Sequence, residues 1–157
     1  MDGRHSPLLL AVGGCLFVVT ACTTTEPNLR ALMKQAIARG AACNEAAARF
    51  AAAPAVETRR EVLGKLRELN DALIDTAEYE REARRVNSVE LIDANRAFLE
   101  TGRAWGRCSL EYNKVLVAIG ERRSARQNYQ GVLARLTAPQ FAAERRQIQA
   151  ALATLDR

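Results

Sequence analysis

Apolar residues recur along this chain at helical spacing from residue 29 almost to its end. Leu29, Ala36, Cys43 and Phe50 fall seven apart, and Leu32, Met33, Ile37 and Ala47 fill the same face. That spacing predicts an amphipathic helix over residues 29–52. Pro54 ends it, because the proline ring fixes φ and removes an amide donor. A second stripe, Val62, Leu63, Leu66, Leu69, Leu73, Ile74 and Ala77, predicts a helix over about residues 55–82. Opposite charges at helical spacing on its outer face support it. Asn87-Ser88 interrupts the pattern, with Ser88 placed to cap a third helix. Then Leu91, Ala94, Phe98, Thr101, Trp105, Cys108, Tyr112, Val115 and Ile119 alternate three and four residues apart, a coiled-coil-like seam of about four heptads. Helical core spacing accounts for every aromatic residue in that run, which disfavours reading them as a cofactor box. Gly102 and Gly106 beside the seam allow close approach of a neighbouring helix. Beyond Gly120, residues 121–136 either extend the third helix or fold back, and both readings stay open. Thr137-Ala138-Pro139 marks a turn and a new helix start, and a last helix carries Phe141, Ile148, Leu152 and Leu155. No segment alternates with a period of two. The expected class is all-α, an antiparallel bundle of long amphipathic helices over residues 29–157.

The first 22 residues obey a different rule. Arg4 and His5 precede a short apolar run from Leu8 to Val19, too short for a permanent membrane span. A charged start, a short apolar stretch and a small residue before a cut describe a secretory signal peptide over residues 1–21. Val19-Thr20-Ala21-Cys22 resembles the lipobox of bacterial lipoprotein precursors. The resemblance implies that Cys22 becomes the first mature residue. Its thiol would take a diacylglycerol and its amino group a further acyl chain such as palmitate, together a stable anchor. Thr23, rather than an aspartate, comes after Cys22, which by the same analogy points to the periplasmic face of the outer membrane. Residues 22–28 then form the lipidated cysteine and a polar tether.

Composition narrows the chemistry of the mature chain. The only histidine, His5, leaves with the signal, which excludes imidazole acid–base catalysis and makes most zinc sites unexpected. With Cys15 discarded and Cys22 acylated, Cys43 and Cys108 remain as an even pair in an oxidising compartment. If the first three helices run up, down and up, both cysteines project to the level of Leu66, because rise per residue is constant. A Cys43–Cys108 disulfide is therefore expected, with two buried reduced thiols as the alternative. The net charge of +5 is carried by dispersed arginines interleaved with acids. Nucleic-acid binding would need a concentrated basic face with aromatic platforms, so no nucleic-acid partner is expected. Solvated helix faces are the plainer account, with attraction to anionic lipid head groups or peptidoglycan as the other.

The stretch from Arg85 to Glu100, with Glu111-Tyr112-Asn113-Lys114-Val115-Leu116 further on, resembles the TolC-type outer-membrane efflux proteins. In that family a tip turn with a Tyr-x-x-Gly element precedes a Leu-(Leu/Ile)-Asp-Ala-(Gln/Asn)-Arg helix start and, later in the helix, a Tyr-Asn pair. The tip is where periplasmic adaptor hairpins dock. Glu90 and Asp93 fall on the family's acidic positions after the tip, and Leu91 and Phe98 accompany them. The resemblance covers roughly residues 84–120. Arg81 and Arg84 stand where the tip tyrosine and glycine would be, and the chain holds one such repeat and no strand, so it implies a related helical hairpin rather than a channel.

No nucleophile–base pair, phosphate loop or metal cluster is visible, so an enzyme is not expected and no cofactor is called for. The expected role is that of an outer-membrane-anchored lipoprotein acting as a structural or interaction module. Its resemblance-derived partner is an envelope protein of efflux or secretion type, met through Glu90, Leu91, Asp93 and Phe98. The alternatives are a periplasmic binding module for cell-wall or anionic envelope ligands, and a shortened non-channel relative of the efflux proteins.

Overall fold

A computed structural model describes residues 29–155. The signal-like segment, Cys22 and the tether lie outside the described residues. Five α-helices and one 3₁₀ turn make up the fold, and no strand occurs among the described residues. They are α1 (Leu29–Ala52), α2 (Val56–Arg85), α3 (Leu91–Ala118), α4 (Arg122–Arg135), the 3₁₀ turn Pro139–Phe141 and α5 (Ala142–Thr154). The expected all-α bundle is the observed architecture.

Each break has a local cause. Between α1 and α2, around Pro54, the Thr58 hydroxyl donates to the Ala53 carbonyl at 2.8 Å and accepts the Ala55 amide at 3.1 Å, so the freed backbone groups are satisfied. After α2, Asn87 takes the left-handed conformation (φ 51) and the Ser88 amide reaches back to the Ala83 carbonyl at 2.8 Å. This is a Schellman closure, with asparagine in the place glycine usually takes. Ser88 is not the cap that its position suggests: the N-cap of α3 is Glu90, without a side-chain cap bond, and the Ser88 hydroxyl accepts the Glu90 amide at 3.2 Å within the turn. The same closure ends α3, where Gly120 has φ 87 and the Glu121 amide bonds the Leu116 carbonyl at 2.8 Å. Residues 121–136 therefore turn back rather than extend α3. Pro139 opens the next turn, as its sequence position suggests.

α3 is the axis, packed by α1, α2, α4 and α5. Ala94, Thr101, Trp105, Cys108, Tyr112 and Val115 of its seam are buried. Ile119, the last seam position, is 40% exposed because the Gly120 turn removes the surface it would cover. Ile37 and Ile74, counted in the apolar stripes of α1 and α2, are also exposed. α4 runs back along α3 until Leu136 meets Gly106, and α5 returns so that its C-terminal Leu155 carbonyl accepts from Arg122 at 3.2 Å and Arg126 at 3.1 Å. These cations complement the carbonyl end of the α5 dipole.

Two contacts knit the core around α3. Cys43 and Cys108 are joined, S–S 2.05 Å and Cα–Cα 5.9 Å, binding α1 to α3. Leu66 of α2 packs, partly buried, against the core cluster that contains both cysteines. At Gly102 the Phe141 ring lies where a β-carbon would be, with ring carbon Cζ 2.3 Å from that position. Phe98 meets the same ring edge-on, centroids 5.2 Å apart. The small residues beside the seam thus admit a neighbour, as expected, though at Gly102 that neighbour is a ring from the 3₁₀ turn rather than a helix.

Candidate functional site

Of the residues expected to meet a partner, Glu90, Leu91 and Asp93 sit together at the start of α3, and Phe98 lies two helical turns further along it. Their side chains have different fates. Leu91 is half-buried in a small satellite core with Ala83, Ala94, Leu32 and Tyr79, and Phe98 is half-buried against Phe141. The Glu90 carboxylate accepts the Tyr79 hydroxyl at 2.6 Å. Asp93 is exposed, 4.0 Å from the Arg96 guanidinium. The apolar surface at this turn belongs to other residues, Val86, Val89 and Ile92, of which Val89 is 97% exposed. Reading the seam as the adhesive face missed them. The available signal was that Ile92 comes directly after seam residue Leu91, and on a helix adjacent residues point to different sides.

A second feature arises on the flank of the bundle, where α2, α3 and α4 leave a groove of about 370 Å³. Leu63, Leu66, Arg67 and Asn70 line it from α2, and Trp105, Ser109, Tyr112 and Asn113 from α3. Gln127, Asn128, Gly131, Val132 and Arg135 complete it from α4. Its floor is polar and ordered. Asn113, 1% exposed, donates to the Ser109 carbonyl at 2.8 Å and accepts from the Asn128 amide at 3.0 Å, so its buried amide is paired at both ends. At one end the Arg135 guanidinium stands 5.8 Å from the Trp105 ring centroid, within cation–π range, and bonds the Asn70 side-chain oxygen. At the other, the Arg59 guanidinium donates to the Tyr112 hydroxyl at 3.2 Å and to both oxygens of Glu121 at 2.7 Å.

The groove's lining contains two guanidinium groups, Arg67 and Arg135, four side-chain amides and no carboxylate. These groups donate hydrogen bonds and carry positive charge beside an apolar wall that includes Leu63, Leu66, Trp105 and Val132. Titrating groups near the groove are shifted by their surroundings. The Glu121 carboxyl is held below the usual carboxylate range by the hydrogen bonds from Arg59, and those same bonds raise the Arg59 guanidinium. The Tyr129 phenol is pushed up by burial and then by the charge of Glu111, so it stays protonated near neutrality. Among the described residues no three His, Cys, Asp or Glu side chains gather as metal ligands. No helix among them is long and apolar enough to cross a membrane. Sequence reasoning did not foresee the groove, since its walls come from three helices and its arginines read individually as solvated surface. Compared with known proteins, the chain matches no family model, no curated protein and no solved structure.

Proposed function

We propose that this chain is a lipoprotein tethered through Cys22 to the periplasmic face of the outer membrane, and that its bundle is a non-enzymatic binding module. The observation that carries the binding role is the amide- and arginine-lined groove between α2, α3 and α4. A cell-wall polymer or another anionic, hydroxyl-rich envelope component is the ligand class that fits. Arg67 and Arg135 would meet its carboxylates while Asn70, Gln127 and Asn128 address its hydroxyl and amide groups. The paired cysteines support an oxidising, extracytoplasmic setting. An efflux or secretion component is the partner that the resemblance implies. Leu91 and Phe98, which would carry that docking, are engaged within the bundle, so the groove is the better-supported surface.

Co-sedimentation of the mature protein with insoluble cell-wall sacculi tests the reading. Binding should weaken as salt rises, since exposed charge pairs are screened. It should fall several-fold in the Arg67→Gln/Arg135→Gln double variant. Unchanged sedimentation of that variant, with wild-type circular dichroism, would rule the groove out.

A further inference from the structure

Three β-branched apolar side chains stand exposed where α2 turns into α3: Val86 at 55% and Val89 at 97% on the turn, and Ile92 at 72% in the first turn of α3. The turn is firmly built. The left-handed Asn87 and the Ser88 amide close α2, the Ser88 hydroxyl holds the Glu90 amide, and the Tyr79 hydroxyl holds the Glu90 carboxylate. Charges around it are largely matched, with Arg84 paired to Glu80, Arg85 to Glu82 and Asp93 near Arg96.

The position of this turn gives it a meaning. Gly40 faces Ala104 and Cys43 is bonded to Cys108, so α1 and α3 run parallel with residue n of α1 level with about n + 64 of α3. Leu29, where α1 begins, is therefore level with about residue 93, and Leu91 and the turn before it project roughly 3 Å or more beyond that level at helical rise. The packing of Leu32 with Ala83, Leu91 and Ala94 shows the same end-on placement. Seven peptide steps from Cys22 to Leu29 span at most about 25 Å. An anchor at Cys22 thus keeps this end of the bundle within reach of its bilayer, with the apolar turn leading. The opposite end, at Val56, is about 35 Å away along α1.

We infer that the α2–α3 turn is a second membrane contact, in which Val86, Val89 and Ile92 enter the interfacial layer of the leaflet that holds the Cys22 lipid. The inference rests on the proposed acylation of Cys22. Three small side chains are too few for a stable protein interface, which buries about 800 Å² per partner. Beside an anchor that already supplies affinity they are enough to set orientation. The matched charges make the contact apolar in character and insensitive to salt. Its consequence is an upright bundle that swivels little on its tether and presents the groove sideways into the periplasm.

The test uses the full mature protein in vesicles of phosphatidylethanolamine and phosphatidylglycerol that contain a nitroxide-bearing lipid. With Cys22 acylated and Cys43 joined to Cys108, Val89→Cys or Val56→Cys supplies one free thiol for an environment-sensitive fluorophore. The label at Val89 should be quenched several-fold more than that at Val56, equally in low and high salt, and the difference should shrink when Val86→Ser and Ile92→Ser are added. Equal quenching at the two sites in protein of acylated mass would overturn the turn's role and leave the anchor standing. A mature mass without acyl groups would overturn the anchor, and the inference with it.

Discussion

Arg59 and Glu121 bridge the start of α2 to the turn between α3 and α4 through two hydrogen bonds of 2.7 Å, and the same guanidinium reaches the Tyr112 hydroxyl at 3.2 Å. One fork of donors therefore ties the start of α2 to the end of α3 and the turn that follows it. Glu121 is held deprotonated below the usual carboxylate range, so the folded chain binds fewer protons at this site than the unfolded chain. Its contribution is fully present above the unfolded carboxylate value, near 4.3, and is lost as pH falls through the depressed folded value. Urea midpoints measured at neutral pH and in acid should show Glu121→Gln to be less stable than wild type at neutral pH, with a smaller loss on acidification. Parallel pH curves for the two proteins would refute the assignment. Glu61, lowered by Arg49, and Glu82, lowered by Arg85, retain part of the wild-type acid response in the variant.

Gly102 holds the Phe141 ring in the space a side chain would fill. Gly102→Ala should cost about 1–3 kcal/mol by overpacking, because the ring is also fixed by Phe98 and cannot retreat freely. Phe141→Ala should cost about 3–5 kcal/mol through the cavity it leaves. In the double variant the alanine has room, so the two losses should add to less than their sum in a double-mutant cycle. Simple additivity in chemical denaturation would argue against the contact.

Gly64 and Gly120 should respond with opposite sign to the same change. Gly64 lies inside α2 with nothing within 4 Å of its missing β-carbon, so Gly64→Ala should stabilise by about 0.5–1 kcal/mol through helix propensity. Gly120 has open space too, but its φ of 87 is strained for any other side chain, so Gly120→Ala should destabilise by about 1 kcal/mol or more. Thermal melts of the two variants would separate backbone strain from simple volume.

The joined cysteines close a loop of sequence separation 65, worth about 4 kcal/mol in the chain-entropy account. Cys43→Ala/Cys108→Ala should lower the urea midpoint accordingly while circular dichroism stays helical. In denatured, unreduced wild-type protein neither cysteine should take an alkylating reagent. Modification of both would show that the pair is reduced.

The helices were legible because their signal is periodic and local. Leu91 to Val115 repeats at core spacing, and burial tracks it closely. Legibility fails where a position's fate depends on what another element leaves uncovered. Ile37 and Ile74 match their stripes as well as Leu69 does, yet each stays 57% exposed among the described residues. The fold-back after Gly120 was one of two permitted continuations. What selects it is Leu136 against Gly106 and Asn128 against Asn113, contacts that a linear pattern does not display. The cysteine pairing was accessible because two turns and a constant rise fix heights along a bundle. The groove was not, because Arg67 and Arg135 become neighbours of one cleft only after three helices have packed.

The bond from Cys43 to Cys108 also divides the chain topologically. Everything between those residues, including the whole of α2 and the exposed Val86–Val89 turn, forms a covalent ring, while α4 and α5 hang from it as an open tail. A protease that cuts at the turn opens the ring without releasing a fragment, and the two pieces part only in reductant. A cut between α3 and α4 leaves the tail with no covalent link to the ring, so the two part on denaturation without reductant. The turn that carries Val86 and Val89 thus belongs to the part of the backbone that tolerates breakage without losing its covalent attachment to the rest.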